Sequence, residues 1–158
     1  SRVNDIIAVT GHDSGNVKAS LSGLDVRLVE NPGHEEGLAS SLRCGIAAVP
    51  DRASGAIIVL GDMPGVTAGL IDRLIAAFEE QEGKKITFPQ RPDGAQGNPV
   101  IWPRAFFGEL QALEGDTGAK PLIAAHKDDT IGVSIDDDGD AFLDIDSPQD
   151  LASWDNRD

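Results

Sequence analysis

The 158-residue sequence is poor in basic residues, in aromatic residues and in cysteine. Only 13 lysines and arginines oppose 27 aspartates and glutamates, so the formal net charge is −14. Such a chain repels nucleic-acid phosphates and anionic lipid surfaces, which argues against either partner. Its single cysteine, Cys44, excludes an internal disulfide and a thiolate zinc cluster. If this acidic chain binds a nucleotide, we expect a divalent cation to bridge the two sets of negative charge.

Long hydrophobic runs are also missing from the sequence. No apolar run approaches the roughly 20 residues that a membrane-spanning helix needs. The first residues, Ser-Arg-Val-Asn, do not have the apolar segment of a signal peptide. We therefore expect a cytoplasmic protein with no membrane partner. The length corresponds to a single domain, here residues 1–158.

What the sequence does contain is a regular alternation of short apolar runs and amphipathic stretches. Residues 55–60 (GAIIVL) form the most apolar run and predict a strand that is covered on both faces. Residues 68–81 carry an apolar stripe at helical spacing, with Thr67 as the N-cap. Residues 136–140 are typical of a hairpin turn, and Ser147 is typical of a helix start. This order predicts an α/β fold with a mainly parallel, mixed sheet.

Two aspartates that follow predicted strands are candidate metal ligands. Asp62 follows the apolar run and comes directly after Gly61. Asp146 directly follows the predicted strand 142–145. Parallel α/β sheets bind ligands at the carboxyl ends of their strands, and Mg²⁺ usually takes one or two protein carboxylates. We therefore predict a Mg²⁺ site at these two aspartates. The alternative is that each only bonds to the backbone of its own turn or helix start.

Polar residues and glycines near other strand and helix ends form a second candidate site. They are Asn31, Gly37, Ser40, Ser41, Gly97, Asn98 and Asp116. Free backbone N–H groups at the start of the helix from Leu38, together with the two serine hydroxyls, suit a phosphate or a polar ring. Helix capping is the alternative function for these serines. The glycines in the two later loops allow another backbone or a ligand to approach closely.

In chain order, the loop motifs resemble the MobA-like nucleotidyltransferases, and within that group the molybdenum cofactor cytidylyltransferases. They are Thr10-Gly11-His12-Asp13, Asn31-Pro32 with Gly37-x-x-x-Ser41, Gly61-Asp62-Met63-Pro64, Gly97-Asn98-Pro99, Gly115-Asp116 and Asp144-Ile145-Asp146. The resemblance extends over nearly the whole sequence. It implies a Rossmann-like three-layer α/β sandwich.

The resemblance also implies a reaction. Enzymes of this family transfer a nucleotidyl group from an NTP to a phosphate-bearing acceptor, and the cytidylyl branch uses CTP and molybdopterin. By motif, the Mg²⁺ ligands are Asp62 and Asp146, the residues lining the nucleotide or acceptor pocket are Asn31, Gly37 and Ser41, and those on the acceptor side are Asn98 and Asp116. A molybdoenzyme or a chaperone is then an expected protein partner.

Two features depart from the family pattern. The family begins with a strand and a glycine-rich, basic loop, whereas this sequence begins where the second strand of the family is expected. We therefore expect a domain truncated at its N-terminus that shows little transferase activity alone. In addition, Asn98 replaces the histidine common in the cytidylyl branch. The alternatives are thus guanylyl transfer, another NTP or a sugar-phosphate acceptor, and a catalytically silent nucleotide-binding or regulatory module.

Overall fold

The computed structural model describes residues 2–116 and 118–135. The helices are α1 (Ser14–Ser20), α2 (Leu38–Ala47), α3 (Ala68–Glu80), α4 (Phe107–Gln111) and α5 (Lys120–Ala125). The strands are β1 (Ile7–Thr10), β2 (Arg27–Glu30), β3 (Gly55–Ile58), β4 (Ile86–Gln90), β5 (Val100–Pro103) and β6 (Thr130–Ser134). The predicted hairpin at 136–140, the candidate ligand Asp146 and the helix predicted from Ser147 lie outside the described residues.

The described chain divides into two compact units. The first contains Ile57–Ile101 with Arg2 and residues 131–135, and the second contains Val3–Ala56 and residues 102–116 and 118–130. The single domain expected over residues 1–158 stays a prediction.

In the second unit, β1 and β2 form a parallel pair in which Ile7 lies opposite Arg27 and Thr10 lies opposite Glu30. Helix α1 connects the two strands, and α2 packs against β1. The packing is close because α2 has a glycine at the contact. A Cβ atom on Gly45 would lie 3.2 Å from Cγ2 of Val9. Parallel strands connected by a helix are the predicted α/β arrangement.

The larger sheet has the strand order β3-β5-β4-β6. Strands β4 and β5 are antiparallel, with Thr87 opposite Ile101. Because β1 and β2 are parallel and β4 and β5 antiparallel, the predicted mixture of strand directions is confirmed. The core of the first unit is built on α3 and consists of Leu70, Leu74, Phe78, Ile101 and Ile135.

Helix α3 forms where the apolar stripe predicts it. Its buried residues Leu70, Leu74 and Phe78 recur every four positions, so they lie on one face. At the N-terminus, Oγ1 of Thr67 accepts a hydrogen bond from the backbone N–H of Leu70 at 3.1 Å, as predicted for an N-cap. At 13 residues it is also the longest described helix, and no helix in residues 2–116 and 118–135 has the length and apolarity to span a membrane.

The environment of β3 differs from the prediction. The strand ends at Ile58, all four of its residues are only half-buried, and the following Val59 is 44% exposed. The prediction of cover on both faces is therefore wrong for the described part of the chain. An apolar run shows what a strand can bury, but not which other elements lie against it.

Candidate functional site

A buried hydrogen-bond network centres on Asn31, which follows β2. Its Nδ2 donates to Oγ of Ser40 at 2.8 Å and to Oγ of Ser41 at 3.1 Å, and its Oδ1 accepts from the N–H of Gly33 at 3.0 Å. Asn31 and Ser40 are each 4% exposed. Three residues that the sequence analysis grouped together are therefore in direct contact. We call Asn31, Ser40 and Ser41 the polar cluster.

Local backbone geometry explains the position of the polar cluster. The N–H of Asn31 donates to the carbonyl of Thr10 at 2.7 Å, which continues the β1–β2 ladder by one residue. In the first turn of α2, Oγ of Ser40 donates to the carbonyl of Gly37 at 2.9 Å. The cluster thus lies where the carboxyl ends of two parallel strands meet a helix N-terminus, the position at which such sheets bind ligands.

The start of α2 is occupied by residues from the loop after α4. Oδ1 of Asp116 accepts a hydrogen bond from the N–H of Leu38 at 2.9 Å, and the carbonyl of Gly115 accepts one from the N–H of Ala39 at 3.1 Å. A carboxylate at this position is favoured by the helix dipole. The expectation of free N–H groups for a phosphate is therefore wrong at Leu38 and Ala39, because the loop already takes them.

Gly37 is the residue that allows this contact. Its φ is +95°, a conformation that side-chain-bearing residues rarely adopt. A Cβ atom there would also lie 2.5 Å from Oδ1 of Asp116. The glycine predicted as a pocket residue is thus required by the close approach of the Asp116 loop.

Arg43, which the sequence analysis did not single out, also contacts that loop. Its Nη1 donates to the carbonyl of Leu113 at 2.7 Å, and its Nη2 donates to Oε2 of Glu36 at 3.0 Å. An arginine within a helix is usually a solvated side chain, so the sequence contains little signal for this role. Its only indication is that it follows Ser41 by two positions.

Two further features at the ends of β1 and β2 come from the structure alone. The rings of His12 and His34 have centroids 6.0 Å apart, and Gly11 permits this because a Cβ atom there would lie 2.6 Å from Cβ of His34. Thr10 is 3% exposed, and within the described residues its Oγ1 has no hydrogen-bond partner. Since buried hydroxyls are normally bonded, this oxygen is an unsatisfied polar atom beside the polar cluster's strand end.

The first unit contains the candidate metal ligand Asp62. Its side chain is exposed and forms no hydrogen bond or ion pair with the described residues. In residues 2–116 and 118–135 there is no group of three or more potential ligands among His, Cys, Asp and Glu. Mg²⁺ does not need one, because it takes its remaining ligands from water and phosphates. Asp62 therefore fits one position of such a site, and its pairing with Asp146 stays a prediction.

Gly97 and Asn98 lie in the same unit, in the connection between β4 and β5. The N–H of Gly97 donates to the carbonyl of Pro89 at 2.8 Å, and Pro99, joined to Asn98 by a cis peptide bond, is fully buried. Backbone contacts therefore hold this loop, while the side chain of Asn98 is half-buried and forms no hydrogen bond with the described residues.

Comparison with known proteins identifies the family. The sequence profile of the MobA-like NTP transferase domain matches residues 1–130. The chain belongs to the MobA-like NTP transferase family. The resemblance of the loop motifs to the MobA-like nucleotidyltransferases is confirmed, and the fold and family are those of a nucleotidyltransferase.

Solved structures of similar fold agree with this family. Rv0371c from Mycobacterium tuberculosis H37Rv is 29% identical, with a TM-score of 0.80 over 97% of this chain and 76% of that chain. A complex of Rv0371c with manganese is 30% identical, with a TM-score of 0.72 over 96% of this chain and 78% of that chain. A nucleotidyl transferase from Methanothermobacter thermautotroptrophicus is 23% identical, with a TM-score of 0.77 over 97% of this chain and 72% of that chain. At this identity, the similarity supports the Rossmann-like fold alone. No curated protein matches this sequence.

Proposed function

We propose that this MobA-like transferase moves CMP from CTP to the phosphate of molybdopterin, and that the polar cluster forms part of its nucleotide pocket. The observation that carries the proposal is the buried network of Asn31, Ser40 and Ser41 at the carboxyl ends of two parallel strands. The preference for CTP and molybdopterin is supported by the loop motifs, which resemble the cytidylyl branch.

The chemistry of the polar cluster favours the sugar or the base of the nucleotide over its phosphates. The cluster consists of an amide and two hydroxyls and carries no charge. Asn31 and Ser40 already use their hydrogens within the protein, so among the described contacts the hydroxyl hydrogen of Ser41 is the one left for a ligand. The nearby helix N-terminus, which would attract a phosphate, is already bonded to the carboxylate of Asp116. A second negative group beside that carboxylate would be repelled. Neutral hydroxyls or the edge of a pyrimidine ring are therefore the expected ligand groups.

The proposed divalent metal would be held by Asp62, with Asp146 as the second predicted carboxylate. Mg²⁺ at these residues would neutralise phosphate charge and orient the substrate for in-line transfer. The carboxylate of Asp62 is exposed and has no hydrogen-bond or ion-pair partner among the described residues, which supports this role. The manganese complex of the relative Rv0371c supports a divalent metal in this fold.

The acceptor, the protein partner and the cellular location belong to the same proposal. The backbone of the loop that carries Asn98 is hydrogen-bonded, and within residues 2–116 and 118–135 the half-buried side chain of Asn98 forms no hydrogen bond. We propose that this loop faces the acceptor. A cytoplasmic location and a molybdoenzyme or chaperone that receives the product are consistent with this reaction but stay predictions.

Calorimetric titration of CTP, with and without Mg²⁺, tests the proposal. We expect CTP to bind at least about tenfold more tightly with Mg²⁺, because the metal relieves repulsion between phosphates and an acidic chain. The variant Asp62→Asn should lose this metal dependence. Asp25→Asn is the matched control, since Asp25 is also an exposed aspartate but precedes β2, whereas the polar cluster lies at the opposite, carboxyl end of that strand. It should bind CTP as the wild type does.

The same titration with GTP tests base preference. Tighter binding of GTP than of CTP would overturn the cytidylyl assignment while keeping the nucleotide site. CTP binding that ignores Mg²⁺, or that is equally affected by both aspartate variants, would overturn the metal role of Asp62.

A further inference from the structure

We propose that Arg43 is a positioning residue that holds the loop 113–116 against the N-terminal turn of α2 and so sets the affinity of the nucleotide pocket. This inference rests on the proposed function only where it concerns nucleotide affinity. The structural part, which we call the Arg43 latch, stands on its own contacts.

The Arg43 latch joins two segments that lie far apart in the sequence. From its place on α2, the guanidinium reaches the carbonyl of Leu113 at 2.7 Å and Oε2 of Glu36 at 3.0 Å. Glu36 ends the 3-10 turn His34–Glu36 that precedes Gly37, and Leu113 precedes Gly115 and Asp116. One side chain therefore bonds to both segments that frame the start of α2.

The contact with Leu113 is the stronger half of the latch. The Glu36 side chain is 66% exposed, and an ion pair exposed to this degree contributes little. The Arg43 side chain is only 33% exposed, and a charged donor to a backbone carbonyl is a strong hydrogen bond. The two acceptors are bonded by two different nitrogens, Nη1 and Nη2, whereas lysine has a single nitrogen and cannot reproduce both contacts with the same geometry.

A cleft of about 390 Å³ lies beside the Arg43 latch and is lined by Glu36, Arg43 and residues 111–115. The loop is also bonded to α2 by two hydrogen bonds, from the N–H of Leu38 to the carboxylate of Asp116 and from the N–H of Ala39 to the carbonyl of Gly115. If the latch is removed, these two hydrogen bonds remain as the polar anchors, and we expect both to open more often. Gly37 directly precedes Leu38, and its carbonyl accepts the hydrogen bond from Ser40. Movement of this turn would therefore also move Ser40 and disturb the geometry of the polar cluster.

Hydrogen exchange and nucleotide binding together test the proposal. In Arg43→Gln, the amide protons of Leu38 and Ala39 should exchange about tenfold faster, the effect of losing one charged hydrogen bond. CTP affinity with Mg²⁺ should fall about tenfold through the same loss. Arg43→Lys should restore part of the CTP affinity, and Glu36→Gln should have the smaller effect on both measurements. Circular dichroism of each variant checks that the fold is retained.

Arg27→Gln is the matched control. Nη1 of Arg27 donates to the carbonyl of Ala48 at 2.9 Å, so it makes the same kind of bond at the other end of α2. It should leave the exchange of Leu38 and Ala39 and the CTP affinity unchanged.

Each outcome decides one part of the inference. Unchanged exchange at Leu38 and Ala39 in Arg43→Gln, or equally fast exchange in Arg27→Gln, overturns the latch. Faster exchange with unchanged CTP affinity overturns the positioning role. If exchange accelerates as expected but the wild type binds no nucleotide, the latch is supported and the proposed function fails.

Discussion

Helices α1 and α3 each follow a strand, but they are stabilised in different ways. Helix α3 buries Leu70, Leu74 and Phe78 and has a hydrogen-bonded cap at Thr67. Helix α1 buries no residue, and its N-cap Asp13 has a φ of 59° and makes no cap hydrogen bond with its side chain. The α3 region is therefore stabilised by apolar packing, whereas the α1 region depends on backbone pairing and polar contacts.

Surface composition shows the same contrast. Large apolar side chains are exposed to solvent in α1 and in the segments around β1 and β2. The exposed fractions are 54% for Ile6, 38% for Val17, 61% for Leu24 and 37% for Leu28. The polar cluster begins at the end of this less buried region, at Asn31. The polar cluster therefore lies on elements whose geometry is fixed by hydrogen bonds. Substitutions near it should therefore act first on the site, and substitutions in α3 first on stability.

The largest effect should come from the core of α3. Leu74→Ala should lower the free energy of unfolding by about 2–5 kcal/mol, because Leu74 is fully buried and the change leaves a cavity. Val17→Ala in α1 should change it by only about 0.5 kcal/mol or less. Urea denaturation measures both. Equal losses would show that the two helices do not differ as described.

A smaller effect on stability is expected at Gly37, where the loop that carries Asp116 contacts the start of α2. Gly37→Ala should cost about 1–3 kcal/mol, because alanine is strained at a φ of +95° and its Cβ would meet Asp116. Gly108→Ala is the control, since Gly108 lies in α4, has open space around it and should gain slightly from helix propensity. Thermal unfolding of both variants checks this, and similar melting temperatures would contradict the close approach of the loop.

The smallest effect concerns an exposed pair in the α1 region. Nζ of Lys18 lies 2.9 Å from Oε2 of Glu30, and this hydrogen bond, with the attraction between the charges, lowers the pKa of Glu30. The contact therefore stabilises the fold above the ordinary glutamate pKa and is lost as the pH falls through the lowered pKa. In Lys18→Gln the pKa of Glu30 should rise toward its ordinary value, as measured by NMR titration. An unchanged pKa would rule out Lys18 as the cause of the shift.

Local patterns in the sequence were sufficient for much of the fold. The stripe and cap of α3 were predicted correctly because a helix face and its N-cap depend on residues three or four positions apart. The cover of β3 was predicted wrongly because it depends on distant parts of the chain.

The same distinction applies to the candidate site. The contacts within the polar cluster join residues nine and ten positions apart, and the sequence order already grouped them. The bond from Leu38 to Asp116 joins residues 78 positions apart, and no local pattern indicates it. Arg43 was missed for the same reason, because its acceptor at Leu113 is 70 positions away.

The proposed role of Asp62 as a ligand of the metal that binds with the nucleotide can be tested directly. The most direct measurement follows the amide NMR signals of the wild type while Mn²⁺ is added in the presence of CTP, since bound Mn²⁺ broadens the signals of nearby protons. If Asp62 binds the metal, the signals of residues 60–63 should broaden first, and this early broadening should disappear in Asp62→Asn. Broadening that starts at His12 and His34 instead, or that persists at residues 60–63 in the variant, would contradict it.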